Sequence, residues 1–165
     1  MENVKISSDL FSLLNAALSR ELEVSVQYML QHTVWAGKTS ISKSKQNLSK
    51  PTKFIASHKL VFLPGITLKK IAITEMRHAE KIGERIIVLG GDIEEEVPSS
   101  TLGASIREIL EIDKDQEKAA IELYKRIIEM ATKEGDDITA TIFKKILRDE
   151  EGHHKIFSNL LELAE

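Results

Sequence analysis

The feature that most constrains this sequence is a helical period that recurs in four long segments, each with acids where the period asks for apolar residues. Apolar residues recur every three or four positions, as in helices that bury one face. The first segment follows the candidate caps Ser7, Ser8 and Asp9, and the second starts near Thr67 and stops at "GGD". The other two follow "VPSSTLG" and "KEGDD". We therefore predict an all-α fold.

The links between the predicted helices indicate how the helices are arranged. The link "GGDIEEEVPSST" is long, and in an extended conformation it reaches about 35–40 Å, the length of one helix. Two helical hairpins joined by one long crossover make a four-helix bundle. A chain of 165 residues with 42% apolar residues is large enough for one such domain, residues 1–165.

The segment of about residues 37–66 is interpreted as a basic insertion between helices 1 and 2. It is rich in Ser and Lys and breaks the helical period, and its later part, "KFIASHKLVF", is compatible with extended chain or a short strand. From Val24 to Thr74 the chain has eight lysines and no Asp or Glu, although its net charge is −3. Loop lysines are usually solvated and the chain is acidic overall, so we expect no nucleic-acid partner.

The composition excludes several kinds of site. The chain has no cysteine, so disulfides and thiolate metal sites are excluded. The N-terminus "MENVKISSDLFSLL" lacks the basic and apolar regions of a secretory signal, and no apolar run approaches the roughly 20 residues that span a bilayer. We expect a cytoplasmic protein with no membrane partner.

The acids in the predicted seams belong to a pattern that occurs twice. A lone glutamate is followed seven residues later by a tyrosine, and further along the chain by Glu-x-x-His. The first copy is Glu21, Tyr28, Glu75 and His78, and the second is Glu117, Tyr124, Glu150 and His153. The lone glutamate and the Glu-x-x-His are 33 residues apart in the second copy (150 − 117) and 54 in the first (75 − 21). We assign the surplus of 21 residues (54 − 33) to the insertion.

Packing the four seams together places four carboxylates and two imidazoles in the middle of the bundle. Residues three apart share a helix face, so each Glu-x-x-His presents both side chains to the same place. Buried carboxylates cannot all stay ionised without compensation, and two divalent cations would balance four negative charges. Oxygen and imidazole ligands without thiolate suit iron or manganese, and zinc is also compatible. The pattern predicts a dinuclear metal site with six ligands: Glu21, Glu75, His78, Glu117, Glu150 and His153.

Some positions allow a second interpretation. The stretch "DEEGHH" offers Glu151 with His154 as well as Glu150 with His153, but the apolar seam of the fourth helix passes through the second pair. Glu23 competes for the place of the lone glutamate in the first helix, but it lies off the apolar stripe. Two histidines have no assigned role: His32 and His58.

Four stretches resemble, in order and spacing, the bacterioferritins of the ferritin-like di-iron family: "RELEVSVQYMLQH", "ITEMRHAEKIGERIIVLGG", "EILEIDKDQEKAAIELYKRII" and "ILRDEEGHHKIF". The resemblance implies that the six predicted ligands hold two iron ions, with Glu75 and Glu150 bridging them. It implies that Tyr28, with Tyr124 as its counterpart in the repeat, lies beside the metals as a catalytic source of electrons. It also implies that Met76 ligates haem b between two subunits.

The same resemblance implies a ferroxidase that oxidises Fe(II) with O₂ or peroxide, in iron storage or detoxification. Rubrerythrins share the ligand scheme and the paired tyrosines, but Ala120 stands where they carry an additional glutamate, and their cysteine-bearing module is absent. A non-cage di-iron oxidase that scavenges peroxide is therefore the alternative, and a Dps-like nucleic-acid-associated protein is a more distant one. Twelve residues follow His153 (165 − 153), too few for the fifth helix of cage-forming ferritins, which argues against a 24-subunit shell.

Apolar residues also lie off the seams that face the predicted metals. On the first helix they are Leu22, Val26 and Met29, and on the second they are Ile73, Met76 and Ile87. Helices that are apolar on two sides usually have a partner, so we predict a homo-oligomer that is at least a dimer. Met76 points about 100° away from Glu75, toward this surface, where it either packs in the interface or ligates haem.

Overall fold

Four helices make up the described part of the chain. A computed structural model describes residues 6–45, 54–94 and 99–163, and describes side chains in 6–36, 67–94 and 99–163. The helices are α1 (Ser8–Lys45), α2 (Phe54–Val88), α3 (Ile106–Lys133) and α4 (Asp137–Glu162), and the described residues contain no strand. The predicted all-α fold class is confirmed.

The helix ends follow the signals in the sequence. Among the three candidate caps of α1, Ser7 takes the role, because its Oγ accepts a hydrogen bond from the Leu10 amide at 3.1 Å. The side chains of Ser105 and Asp136 cap α3 and α4 in the same way. Gly90, with φ of 81°, follows α2 in the left-handed conformation that glycine adopts at little cost, which explains the stop at "GGD".

Contacts at one end of the bundle define the helix directions. The backbone amide of Ser7, at the start of α1, donates to Glu134 Oε2 just after α3, at 2.9 Å. Arg85, near the end of α2, forms an ion pair with Asp136 at the start of α4, with 2.6 Å between Nη2 and Oδ1. Hence α1 is antiparallel to α3 and α2 is antiparallel to α4, while α1 packs on α2 and α3 on α4. This is the predicted pair of hairpins joined by a long crossover.

The crossover between α2 and α3 runs along α1. The Asn15 side chain donates to the Asp92 carbonyl at 3.1 Å and accepts from the Glu94 amide at 3.1 Å. Further along α1, Gln27 Oε1 accepts from the Thr101 amide at 2.9 Å. Residues 15 and 27 are separated by about 18 Å on a helix, so these two polar side chains secure a long stretch of non-helical backbone.

The insertion differs from its prediction in one respect. Helix α1 continues to Lys45 and α2 begins at Phe54, so the extended or strand interpretation of "KFIASHKLVF" is wrong. Only Ile55 and Val61 are β-branched in that stretch, while Ala56 and Leu60 favour a helix, and a short apolar run does not distinguish the two states by pattern. Residues 46–53 lie outside the described part, as do the side chains of all the lysines in the insertion, whereas Lys69 and Lys70, just after it, are exposed.

The apolar core consists of two clusters along the bundle. One is built around Leu10, Leu14, Ile82, Ile86, Tyr124 and Phe143, and the other around Val24, Tyr28, Trp35, Leu68, Leu110 and Phe157. Between them on each helix lie the acids of the predicted seams, at positions 21, 75, 117 and 150. The packing therefore encloses a polar layer at mid-length. In the described part of the chain, no helix is both long and apolar enough to span a bilayer.

Candidate metal centre

Six polar side chains from all four helices meet in the layer between the apolar clusters. They are the six ligands predicted from the sequence: Glu21 from α1, Glu75 and His78 from α2, Glu117 from α3, and Glu150 and His153 from α4. The carboxylates are 0–1% exposed, and His153, at 8%, is the most exposed of the six. Helical packing thus buries four acids together in a place where water does not solvate them.

The ligand atoms form two groups that overlap. In one group, single atoms of Glu21, Glu75, His78 and Glu150 all lie within 4.8 Å of one another. In the other, atoms of Glu75, Glu117, Glu150 and His153 meet the same limit. Two side chains, Glu75 and Glu150, belong to both groups. Each group has three carboxylates and one imidazole, which is the arrangement of two adjacent cation sites that share two carboxylates.

Both histidines direct Nδ1 toward the shared carboxylates. His78 Nδ1 lies 2.9 Å from Glu75 Oε2 and 3.0 Å from Glu150 Oε1. His153 Nδ1 lies 2.8 Å from Glu75 Oε1 and 3.4 Å from Glu150 Oε2. The two rings lie across the layer from each other, with centroids 6.5 Å apart and planes tilted by 31°. The imidazoles therefore flank the two central carboxylates in a nearly twofold arrangement.

Three fully buried carboxylate oxygens in this layer have no described donor other than an imidazole: Glu21 Oε2, Glu75 Oε1 and Glu150 Oε1. Glu75 Oε1 and Glu150 Oε1 face the Nδ1 atoms of His153 and His78, at 2.8 and 3.0 Å. Buried oxygens with so few donors are rare in folded proteins, and here three of them surround a common place. Hard oxygen donors with two imidazoles fit iron, manganese or zinc, so the residues present fit a pair of divalent cations.

Protonation shows how the layer tolerates its acids when no cation is bound. Burial raises the pKa of Glu21 to about 8, and it raises the pKa of Glu117 well above its usual range. Burial alone would lower the pKa of His153, but hydrogen bonds with Glu150 and Glu75 outweigh burial and raise the pKa to about 10. Protons thus occupy the sites that cations would take, and cation binding has to displace them.

Glu150 shows the opposite behaviour. Its burial would raise the pKa, but hydrogen bonds with His153, His78 and Glu117 outweigh burial and hold the pKa well below its usual range. Burial alone would lower the pKa of His78, but hydrogen bonds with Glu150, Glu21 and Glu75 outweigh burial and raise it. Glu150 is therefore an anion between two imidazolium rings, at the position that both groups share.

The two tyrosines of the repeat pair with the lone glutamates crosswise. Tyr28 on α1 donates its hydroxyl to Glu117 Oε1 on α3 at 2.5 Å, and Tyr124 on α3 donates to Glu21 Oε1 on α1. Both tyrosines are fully buried, and burial raises the pKa of each phenol well above 10, so they are neutral donors. Each hydroxyl fixes one oxygen of a lone glutamate, which orients the carboxylate within the layer.

Of the two possible Glu-x-x-His pairs in the fourth helix, the predicted one faces the interior. Glu150 and His153 are buried, whereas Glu151 is exposed and His154 is half-buried. On α1, Glu23 is half-buried, outside the six-residue layer. His32 is half-buried and contacts another residue, and the side chain of His58 lies outside the described part.

Some residues around the layer were not identified from the sequence. Asp149 Oδ2 lies 3.2 Å from His78 Nε2, on the side of the ring away from the carboxylates. Asp113 is fully buried one turn before Glu117, and its Oδ1 accepts from Gln27 at 3.2 Å and from Gln31 at 2.9 Å. Asp113 falls on the helical period of α3, where a lone aspartate does not by itself indicate a role, and Gln27 lies off the apolar stripe of α1 and is nevertheless buried.

Arg20 connects this layer to the neighbouring helix. Its guanidinium donates to the Gln116 carbonyl of α3, next to Glu117, and its charge acts on the Tyr124 and Tyr28 hydroxyls. The position gives no signal in the sequence, because an arginine beside an apolar stripe is usually solvated. In the structure it is a cation held close to the glutamate–tyrosine pairs.

The apolar surface predicted on α1 and α2 is exposed in part. Val26 and Met76 are each 47% exposed and Ile73 is 40% exposed, whereas Leu22 packs against the core. Between the two helices these residues form a groove of about 380 Å³. Its lining consists of Ser25, Val26, Met29, Leu30, Ala72, Ile73, Met76 and Arg77. Met76 therefore lies on an open apolar face and not in the metal layer.

Comparisons with known proteins identify the family. The sequence profile of the ferritin-like domain matches residues 66–165. A bacterioferritin of Mycobacterium tuberculosis (strain CDC 1551 / Oshkosh) is 30% identical over 158 residues, covering 95% of this chain and 86% of that protein. The chain belongs to the bacterioferritins.

A solved bacterioferritin agrees with this assignment. The Desulfovibrio desulfuricans bacterioferritin, whose structure describes a diiron site in different catalytic states, has a TM-score of 0.75 and 28% identity, covering 98% of this chain and 83% of that one. At the sequence level, a bacterioferritin from the same species is 38% identical over 94 residues, so the match spans about half (52%) of that relative's length. The predicted resemblance and the four-helix bacterioferritin fold are confirmed.

Proposed function

We propose that this bacterioferritin is a di-iron ferroxidase that oxidises Fe(II) with O₂ or peroxide, in iron storage or detoxification. The observation that carries the proposal is the pair of overlapping groups, buried between two apolar clusters, with Glu75 and Glu150 common to both. The diiron site named for the Desulfovibrio desulfuricans relative supports iron as the metal. The donor set, which consists of carboxylates and imidazoles without thiolate, agrees with that choice.

Each residue of the layer has a definite part in this proposal. Glu21 with His78 would hold one iron ion and Glu117 with His153 the other, and Glu75 and Glu150, which belong to both groups, would contribute to both sites. Two ferrous ions bound there supply two electrons to the oxidant. Tyr28 and Tyr124 hold the lone glutamates in place through their hydroxyls, and as oxidisable side chains bonded directly to the layer they could donate a further electron. The apolar clusters on both sides exclude bulk water from the reacting centre.

Stopped-flow oxidation of Fe(II) tests the proposal, and α4 offers a matched control. We expect Glu75→Ala and Glu150→Ala to reduce the initial rate to that of free Fe(II), because each removes a carboxylate from both groups. Glu151→Ala, a change to the exposed residue next to Glu150, should keep the rate of the unmodified protein. Equal rates for Glu150→Ala and Glu151→Ala would show that the assigned centre is not the site of oxidation.

For the assembly, we propose a homo-oligomer, at least a dimer, in which the groove beside Met76 faces a second copy of the chain. The exposed apolar side chains on α1 and α2 support this face, because such patches are seldom left open to water. Light scattering distinguishes the roles: a mass near 24 chains supports storage within a shell, and a dimer supports the non-cage oxidase. A Soret band that disappears in Met76→Leu would make Met76 a haem b ligand, and a spectrum without that band leaves it as an interface residue.

A further inference from the structure

The two imidazoles of the centre are held differently at their outer nitrogens. His78 has contacts on both sides, because Nδ1 faces the carboxylates and Nε2 lies 3.2 Å from Asp149 Oδ2. His153 also turns Nδ1 toward the carboxylates. Among the residues that the structure describes, none is hydrogen-bonded to its Nε2. One ring is therefore held at both ends and the other at one end.

The repeat in the sequence identifies the origin of this difference. Asp149 immediately precedes Glu150, and the equivalent position before Glu75 is Thr74. Because the two Glu-x-x-His helices are antiparallel neighbours, position 74 has the same relation to His153 as Asp149 has to His78. The Thr74 hydroxyl donates instead to the Lys70 carbonyl within α2, at 3.2 Å. The acceptor that serves one histidine is thus absent for the other.

The remaining parts of the two halves are matched. Each group has three carboxylates and one imidazole, and each lone glutamate accepts a hydrogen bond from one buried tyrosine. The difference between the halves therefore lies outside the ligand set. The two halves also differ in exposure, since His153 is 8% exposed and His78 is 2% exposed. The half that lacks the outer acceptor is also the half closer to solvent.

An acceptor at the outer nitrogen changes what an imidazole does as a ligand. A proton on Nε2 that is donated to Asp149 leaves the lone pair on Nδ1, orients the ring and raises the basicity of the ligating nitrogen. Removal of such an outer partner typically lowers metal affinity by about 10- to 100-fold. Since the Asp149 side chain is 55% exposed, the smaller part of this range is the more realistic for a single variant.

We propose that the two cation positions of this chain are unequal, and that Asp149 is the positioning residue that makes them so. The ion held by His78 with Glu21, Glu75 and Glu150 binds first and is retained. The ion at the His153 position binds more weakly and exchanges with solvent. This inference rests on the proposed function to the extent that both require two cation positions in the layer.

Titration of the metal-free protein with Co(II), followed by the visible absorption of the bound ion and by competition with a chelator, measures both positions without turnover. We expect two binding steps, the second about 10-fold weaker than the first. His78→Ala should remove the tighter step and His153→Ala the weaker one, which assigns each step to a position.

Two reciprocal substitutions test the cause of the difference. Asp149→Thr gives both halves a threonine and should weaken the tighter step toward the level of the weaker one, while Asp149→Asn, which keeps an oxygen acceptor, should weaken it less. Thr74→Asp gives both halves an acid and should strengthen the weaker step. Both positions lie on helix surfaces that are at least partly exposed, and thermal unfolding checks that each of the three variants is folded.

The outcomes separate this inference from the proposed function. Two Co(II) ions bound in equal steps, or an unchanged tighter step in Asp149→Thr, would overturn the inequality and leave the di-iron proposal standing. Failure of the unmodified protein to bind two ions would overturn both. If the difference in affinity between the two Co(II) binding steps becomes smaller in Asp149→Thr and also in Thr74→Asp, the assignment of Asp149 is supported.

Discussion

Two buried acidic regions lie one helical turn apart on α3, and they compensate their charge in different ways. Around Glu117, four carboxylates and two imidazoles share one layer, and three of their buried oxygens have no donor among the described residues other than an imidazole. Around Asp113, one carboxylate accepts from two glutamine amides on α1, and the described residues include no second acid in the cluster. The first region needs cations or protons, whereas amide donors stabilise most of the second.

The comparison shows why buried acids alone do not identify a metal site. Burial raises the pKa of Asp113 to about 7, against the lowering effect of the hydrogen bonds from Gln31 and Gln27. Burial also raises the pKa of Glu21, to about 8. The two acids are alike in burial and in the direction of the shift. They differ in their neighbours, because only the layer around Glu117 contains several acids and histidines whose ligand atoms come within 4.8 Å of one another.

The largest expected effect that separates the regions is stabilisation by metal. A cation at about 100 times its dissociation constant adds about 2.7 kcal/mol to the free energy of unfolding, or about 5–10 °C in Tm for a chain of this length. Thermal unfolding with and without Co(II) should show this increase in the unmodified protein and in Asp113→Asn. Glu75→Ala should lose it, because Glu75 belongs to both groups. An equal loss in Asp113→Asn would mean that the second region also holds the metal.

The pH dependence of stability should separate metal-free from metal-loaded protein. Glu21 and Asp113 have raised pKa values in the folded state, about 8 and about 7, so their contribution is complete below the unfolded values near 4. This contribution to the free energy of unfolding is lost as the pH rises to 7 and 8. The two carboxyls are then already ionised in the unfolded chain and become ionised in the folded chain as well. We therefore expect the Tm of metal-free protein to fall between pH 5 and pH 8.5.

Bound metal should oppose this fall in Tm, because cations compete with the protons that the buried carboxyls hold at low pH. The increase in Tm on adding Co(II) should grow as the pH rises from 5 to 8.5. The range starts at pH 5 because the lowered pKa of Glu150 contributes stability that is lost only as the pH falls through more acidic values. A metal-free Tm that stays level or rises over this range would contradict the raised pKa values.

The difference between the two regions also explains what the sequence could and could not predict. The helical period located the seams, and the cost of acids in them pointed to cations, so the six residues that meet in the layer were all named from the sequence. The crosswise pairing of Tyr28 with Glu117 could not be read, because it depends on which helices are neighbours. Asp149 lies one residue off its seam, where an acid is usually solvated, and gave no signal.

The prediction of extended chain in the insertion was wrong for a different reason. Phe54–Phe62 lies in α2, although its short run of apolar residues is compatible with a strand as well as a helix. The apolar pattern of such a short run does not distinguish a helix from a strand, and its conformation depends on the element that continues from it. By contrast, the stop at "GGD" was predictable because Gly90 adopts a conformation that few other residues tolerate.

The smallest expected effect concerns Asp113 itself. Asp113→Asn keeps an oxygen for Gln27 and Gln31 and replaces Oδ2, which no described residue hydrogen-bonds, with an amide donor. At pH 8 the aspartate would be ionised in a buried place, so the variant should be more stable by about 1–3 kcal/mol. At pH 5 the folded aspartate is protonated but the unfolded one is largely ionised, so the difference should be smaller than at pH 8 and should approach zero only near pH 4. Urea unfolding at both pH values measures the difference.

Asp115→Asn, on the same helix but exposed, is the matched control and should change neither value by more than about 0.5 kcal/mol. The initial rate of Fe(II) oxidation in Asp113→Asn should stay within about twofold of the unmodified protein, because Asp113 belongs to neither ligand group. If the rate collapsed while the stability rose at pH 8, the second acid would be kept for the reaction and not for the fold. The boundary between the two regions would then lie beyond Asp113, and the centre would extend one turn further along α3.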